Sequence, residues 1–172
     1  MNGATPLHLS IFGMEPVVKF GSEDMKQKYL PQVAKGDLHV AFGVTEPDAG
    51  TDTSSITTAA RREGDHDIVK GRKVWTTKAL QSERVLLLVR TTPKDKVEKR
   101  TDGLTLLLAE LQRDEVAISA IDKVGRNAVA TCEVVYDELP VHVTDRVGEE
   151  GKGFKYILTG LNAERILIAS EA

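Results

Sequence analysis

Cysteine, tryptophan, long apolar runs and excess charge are all scarce in this chain. The one cysteine, Cys132, excludes an intrachain disulfide and points to a reducing compartment. The longest purely apolar run, Val85 to Val89, falls far short of the roughly 20 residues that span a bilayer. Net charge is only −3, so the basic footprint of a nucleic-acid partner is missing. The first ten residues carry neither a positive segment nor an apolar stretch, and no secretory signal is visible. His8, His39, His66 and His142 show no ligand spacing, so no metal site is expected. No G-x-G-x-x-G follows a strand, which argues against a Rossmann dinucleotide site. Gly148 to Gly153 is followed by Phe154, where a phosphate loop needs Ser or Thr. There is no internal repeat and no low-complexity tract.

What remains is a globular profile: 172 residues, 41% hydrophobic and 28% charged. Leu7 to Phe20 reads as a helix that Pro16 bends or ends. Ser22 is placed to cap a second helix from Glu23 to about Val33, with Pro31 marking a break or restart. From His39 the pattern changes to strands. They are expected over Val40–Val44, Ser55–Arg62, His66–Lys70, Arg72–Thr77, Arg84–Thr92, Leu104–Leu111, Val116–Ile121, Thr131–Asp137 and Val141–Val143. The hydrophilic segment Thr92 to Asp102 reads as an exposed, mobile loop. Short strands at this spacing predict an antiparallel barrel or sandwich. A last helix begins at Phe154, with Phe154, Ile157, Leu158, Leu161 and Ile168 on one face and Arg165 within that stripe. A charge there suggests either a structural ion pair or a function.

Two stretches carry more information. Val44-Thr45-Glu46-Pro47-Asp48-Ala49-Gly50-Thr51-Asp52 follows the first strand. Pro47 fixes φ and Gly50 permits a positive φ, so a turn is expected. The hydroxyls of Thr45, Thr51 and Thr53, with the N–H groups of such a turn, suit an anionic or carbonyl-rich ligand. The same composition also describes an ordinary polar loop. Val74-Trp75-Thr76-Thr77-Lys78-Ala79 holds the single Trp, after a turn expected at Lys70-Gly71. A core aromatic at a strand end is the plain alternative for Trp75.

Taken together, VTEPDAGTD and KVWTTKA, in this order and spacing, resemble the acyl-CoA dehydrogenase family. The resemblance continues through Lys35-Gly36-Asp37, Val124-Gly125-Arg126, Thr131 to Asp137, Gly148 to Gly153 and Leu161-Asn162-Ala163-Glu164-Arg165. It covers nearly the whole chain. It implies an α+β fold in which an antiparallel β-barrel or sandwich is flanked by helices. Residues 1–38 would be the end of an N-terminal helical domain, 39–147 the central β-domain, and 148–172 the start of a four-helix domain whose later helices this sequence lacks. The apolar face of the last helix fits that expectation.

The family reaction is FAD-dependent α,β-dehydrogenation of an acyl-CoA thioester, in which a carboxylate takes the α-proton and the β-hydrogen leaves as hydride to the flavin. By resemblance, Phe42, Val44, Thr45 and Thr51 lie along the flavin and its pyrophosphate, and Trp75, Thr76 and Thr77 lie at its ring. Thr51, Asn162 and Arg165 would contact the acyl-CoA. Glu164, immediately before Arg165, matches the base of the isovaleryl- and long-chain-type members. Burial would raise its pKa and the neighbouring Arg would lower it. Three positions depart from the common pattern: Thr51 replaces Ser, Lys78 replaces Asn, and Asn127 replaces Arg. The implied partners are an electron-transfer acceptor or oxygen, and a homo-oligomer in the complete enzyme. An acyl-CoA oxidase, or a catalytically silent flavin- or acyl-CoA-binding subunit, remains open. So does the compartment among cytoplasm, mitochondrion and peroxisome.

Overall fold

The apolar run Val85 to Val89 forms the middle of a strand buried on both faces. It lies in β4 (Arg84–Arg90) of a computed structural model that describes residues 5–125 and 127–171. Leu86 and Leu88 point into one core, while Val85, Leu87 and Val89 point into another. Two wet faces would have produced alternation; two dry faces produce a continuous run. The other strands are β1 (Val40–Gly43), β2 (Ala59–Glu63), β3 (His66–Thr77), β5 (Leu104–Glu110), β6 (Val116–Ala120) and β7 (Thr131–His142). They form a curled seven-stranded sheet of order β1-β4-β2-β3-β7-β6, with β5 on the other edge of β4.

The sheet is mixed. The ladders β2–β3, β3–β7, β4–β5 and β6–β7 are antiparallel as expected. β1 pairs β4 in parallel, and β2 touches β4 in parallel at one position. One core fills the inside of the curl. The other lies between the sheet and three helices: α1 (Thr5–Phe20), α2 (Glu23–Lys35) and α3 (Gly153–Glu171). No helix among the described residues is long and apolar enough to cross a membrane.

Several local expectations are corrected. α1 runs through Pro16 and α2 through Pro31, so neither proline ends its helix. Ser22 does cap α2: its Oγ accepts the Met25 N–H at 3.1 Å. Gly36 closes the helix in a left-handed conformation. Gly50 is not among the residues with positive φ. The turn there is closed instead by reciprocal backbone bonds between Glu46 and Ala49. Gly71 is not a turn either. It lies inside β3 beside a register shift against β7, where a Cβ would stand 2.6 Å from Thr58 Cα. Thr131–Asp137 and Val141–Val143 merge into the single strand β7, which carries Pro140. The strand expected from Ser55 begins only at Ala59, because the Thr57 and Thr58 N–H groups bond to the Glu46 carboxylate. Residues 92–102 are largely exposed, yet the buried Arg90 ties both ends by donating to the carbonyls of Thr92, Arg100 and Asp102.

Candidate functional site

A pocket of about 260 Å³ opens where α1, the end of β1, β3 and α3 converge. Phe42, Val44 and Thr45 form one wall, and Val74, Trp75 and Thr77 form another. Phe12 from α1 and Leu161 and Glu164 from α3 complete it, with Thr53 at the loop side. Phe12 meets Phe42 edge to face, with ring centroids 5.4 Å apart. At this volume the pocket holds a ring system or a short chain rather than an entire dinucleotide. A larger cleft of about 830 Å³ lies between α2 and residues 143–150, and none of the candidate site residues lines it.

The Trp75 wall depends on an irregular backbone. The register between β3 and β7 shifts between Lys73 and Thr76. Trp75 itself has φ 59, a left-handed conformation that is strained for a bulky residue. The bulge turns the indole outward, and Trp75 is 59% exposed. It is therefore no core aromatic. Outlying backbone geometry of this kind collects at functional sites.

Six of the ten residues expected in the site meet in this pocket: Phe42, Val44, Thr45, Trp75, Thr77 and Glu164. Thr76 does not: its side chain is buried, and among the described residues its hydroxyl has no hydrogen-bond partner. Thr51 is exposed and does not line the pocket, whereas Thr53 does. Asn162 and Arg165 are exposed on α3, where Arg165 Nη1 donates to Asn162 Oδ1 at 2.7 Å. Arg165 thus binds its own helix, and forms no ion pair with a neighbouring element among the described contacts. Arg126 lies outside the described residues.

The Glu164 carboxyl is half-buried. Burial raises its pKa above the usual value and outweighs the opposing charge of Arg165. The arrangement therefore joins a carboxyl with raised proton affinity, a flat exposed indole, apolar side walls and threonine hydroxyls. That set fits a planar aromatic ring against Trp75, with a proton acceptor in the same pocket.

Sequence reasoning missed Phe12, which reads as an ordinary apolar helix position, and gave Val74 and Leu161 no site role although both stand within the quoted motifs. It also missed a buried pair beside the pocket-lining residues Val44 and Val74. Lys73 Nζ lies 2.8 Å from Glu46 Oε1, and both side chains are buried. Burial lowers the Lys73 pKa to about 8 against the pull of Glu46. Burial would raise the Glu46 carboxyl, but Lys73 and the Thr57 and Thr58 donors bring it to about 2.

The family model described as acyl-CoA dehydrogenase, middle domain, matches residues 41–139, and that described as acyl-CoA dehydrogenase, N-terminal domain, matches residues 2–37. The chain belongs to the acyl-CoA dehydrogenase family. Among its relatives is acyl-CoA dehydrogenase FadE26 of Mycobacterium tuberculosis, 34% identical over 99% of this chain and 42% of that protein. A short-chain-specific acyl-CoA dehydrogenase of Clostridium acetobutylicum is 36% identical over 88% of this chain and 39% of that protein. Among solved structures, butyryl-CoA dehydrogenase from Megasphaera elsdenii superposes with a TM-score of 0.89 at 30% identity, covering 96% of this chain and 43% of that one. This chain thus has the acyl-CoA dehydrogenase fold and spans about two fifths of the length of these relatives.

Proposed function

We propose that this chain serves the FAD-dependent α,β-dehydrogenation of an acyl-CoA thioester. The observation that carries the reading is the meeting of Glu164 and Trp75 in one pocket, with the Glu164 pKa raised by burial. When bound, the flavin supplies the acceptor for the β-hydride. Trp75 offers a flat wall for the ring to lie against, while Phe42 and Val44 keep water from it. Thr45 and Thr77 bring hydroxyl donors to the polar edge of the ring. Thr76 acts only through its main chain, since its side chain is buried.

Glu164 takes the proton from the α-carbon. A base with raised proton affinity is stronger than an ordinary carboxylate. Phe12 and Leu161 supply apolar contact for the acyl chain. Thr51, Asn162 and Arg165, all exposed, meet the polar carrier end of the thioester. The partners this reading implies are an electron-transfer acceptor and further copies of the chain in a homo-oligomer.

The test is an anaerobic visible titration. The purified protein is loaded with FAD, then given acyl-CoA thioesters of increasing chain length. A bound-flavin spectrum that bleaches with a thioester is expected. A bound flavin that no thioester bleaches, or a protein that retains no flavin at all, would sink the proposal.

A further inference from the structure

The two walls of the pocket come from separate segments, Val44–Thr45 and Val74–Trp75. A buried charge pair joins the two segments. Lys73 is 0% exposed and Glu46 is 4% exposed. The Lys73 ammonium donates to Glu46 Oε1 at 2.8 Å and to the Val44 carbonyl at 3.0 Å. Glu46 is also held from the far side. Its Oε2 accepts the Thr57 N–H at 2.7 Å and the Thr57 hydroxyl at 2.8 Å, and its Oε1 accepts the Thr58 N–H at 2.9 Å. Beside the pair, the Val74 N–H donates to the Thr45 carbonyl at 2.9 Å. The left-handed turn at Trp75 follows immediately.

A buried ion pair is a poor way to gain stability, because desolvation offsets much of the attraction. It is a good way to fix direction. A buried ammonium is satisfied only by acceptors at set positions. Here the acceptors belong to the segment that carries Val44 and Thr45, while the ammonium belongs to the strand that carries Val74 and Trp75. Any slip of one wall against the other leaves the charge without its carbonyl or its carboxylate.

We propose that Glu46 and Lys73 are positioning residues for the flavin pocket, and that the pair sets the Val44–Thr45 wall against the Trp75 wall. The identity of the occupant rests on the flavin reading given above; the coupling of the two walls does not. Neither residue lines the pocket, so each acts through its neighbours.

The test compares the parent with the double variant Glu46→Gln/Lys73→Met, which removes both charges and leaves neither partner charged and buried. Four readouts are taken: thermal melting, amide hydrogen exchange at Val74, emission of Trp75 (the only tryptophan), and FAD affinity. The double variant is expected to melt cooperatively. Its Val74 N–H should exchange at least about tenfold faster, its Trp75 emission should shift, and its FAD dissociation constant should rise at least about tenfold. A cooperative melt with parental exchange, emission and affinity overturns the proposal and leaves the pair a stabilising contact only.

If the double variant does not fold, Glu46→Asp decides. It keeps the charge but withdraws the carboxylate by one methylene, so the same three site readouts should move. Parental values in that variant overturn the proposal. A parent protein that binds no FAD defeats the flavin reading, while Val74 exchange and Trp75 emission still decide the role of the pair.

Discussion

The carbonyl of Phe12 lies against Gly160, where a Cβ would stand only 2.7 Å from it. Pro16 explains why that carbonyl is free: it has no N–H to return to the residue four positions earlier. α3 therefore crosses α1 backbone to backbone at this point, with Pro16 Cδ 3.3 Å from the same Cβ position. The crossing brings Leu161 and Glu164 to the pocket beside Phe12. Gly160→Ala must push the helices apart. It should destabilise by about 1–3 kcal/mol in urea denaturation. Gly13→Ala, in α1 with nothing within 4 Å of its Cβ, should instead stabilise by about 0.5–1 kcal/mol.

Trp75 gives a second prediction. Its left-handed backbone stores strain on the order of 1–3 kcal/mol, and its side chain is mostly exposed. Trp75→Gly relieves the backbone and removes the wall. The variant should melt at or above the parental temperature and lose flavin affinity. A large fall in melting temperature would show that the indole supports the fold.

The Glu164 carboxyl sets a pH dependence. A base must be deprotonated, so flavin bleaching should fail as pH drops through a pKa above the usual glutamate value. Glu164→Gln should lower the bleaching rate by about 100- to 10,000-fold while keeping the flavin spectrum. The folding sign runs the other way. A raised carboxyl pKa means that the folded state binds more protons than the unfolded one, so this group contributes stability only at low pH and loses it as pH rises. Glu164→Gln should therefore leave the melting temperature at pH 7 unchanged or higher.

Arg146 grips Asp67 with two bonds, Nε to Oδ2 at 2.5 Å and Nη2 to Oδ1 at 2.6 Å. Asp67 is almost fully buried, and the pair ties β3 to the segment that leads into α3. Among the described residues, Asp67→Ala leaves the Arg146 guanidinium with only the exposed Glu150 as an ion-pair partner. The loss should reach about 3 kcal/mol by chemical denaturation.

Much of the fold was legible in the chain because it depends on local rules. The run Val85 to Val89 announces a strand dry on both sides. Ser22 before Glu23 and Asp24 announces a helix start, and its Oγ does cap α2. The motifs around Thr45 and Trp75 announce two segments that meet. Gly71 and Pro16 misled for one reason: each marks a close approach by another segment, and sequence shows only the marker.

What the sequence by itself determined is which segments become strands and helices, and which motifs carry the family. Periodicity, capping and turn chemistry act over a few residues. Only the tertiary structure decided that Lys73 is buried and not solvent-facing, because its burial depends on Glu46 arriving from another segment. It alone decided that Trp75 faces outward, since one bulge reverses the alternation of a strand. It decided that Glu164 reaches the pocket while Arg165 turns away, because that depends on where α3 crosses α1. Contacts between distant segments set these outcomes, and a side chain's chemistry follows from the neighbours that those contacts provide.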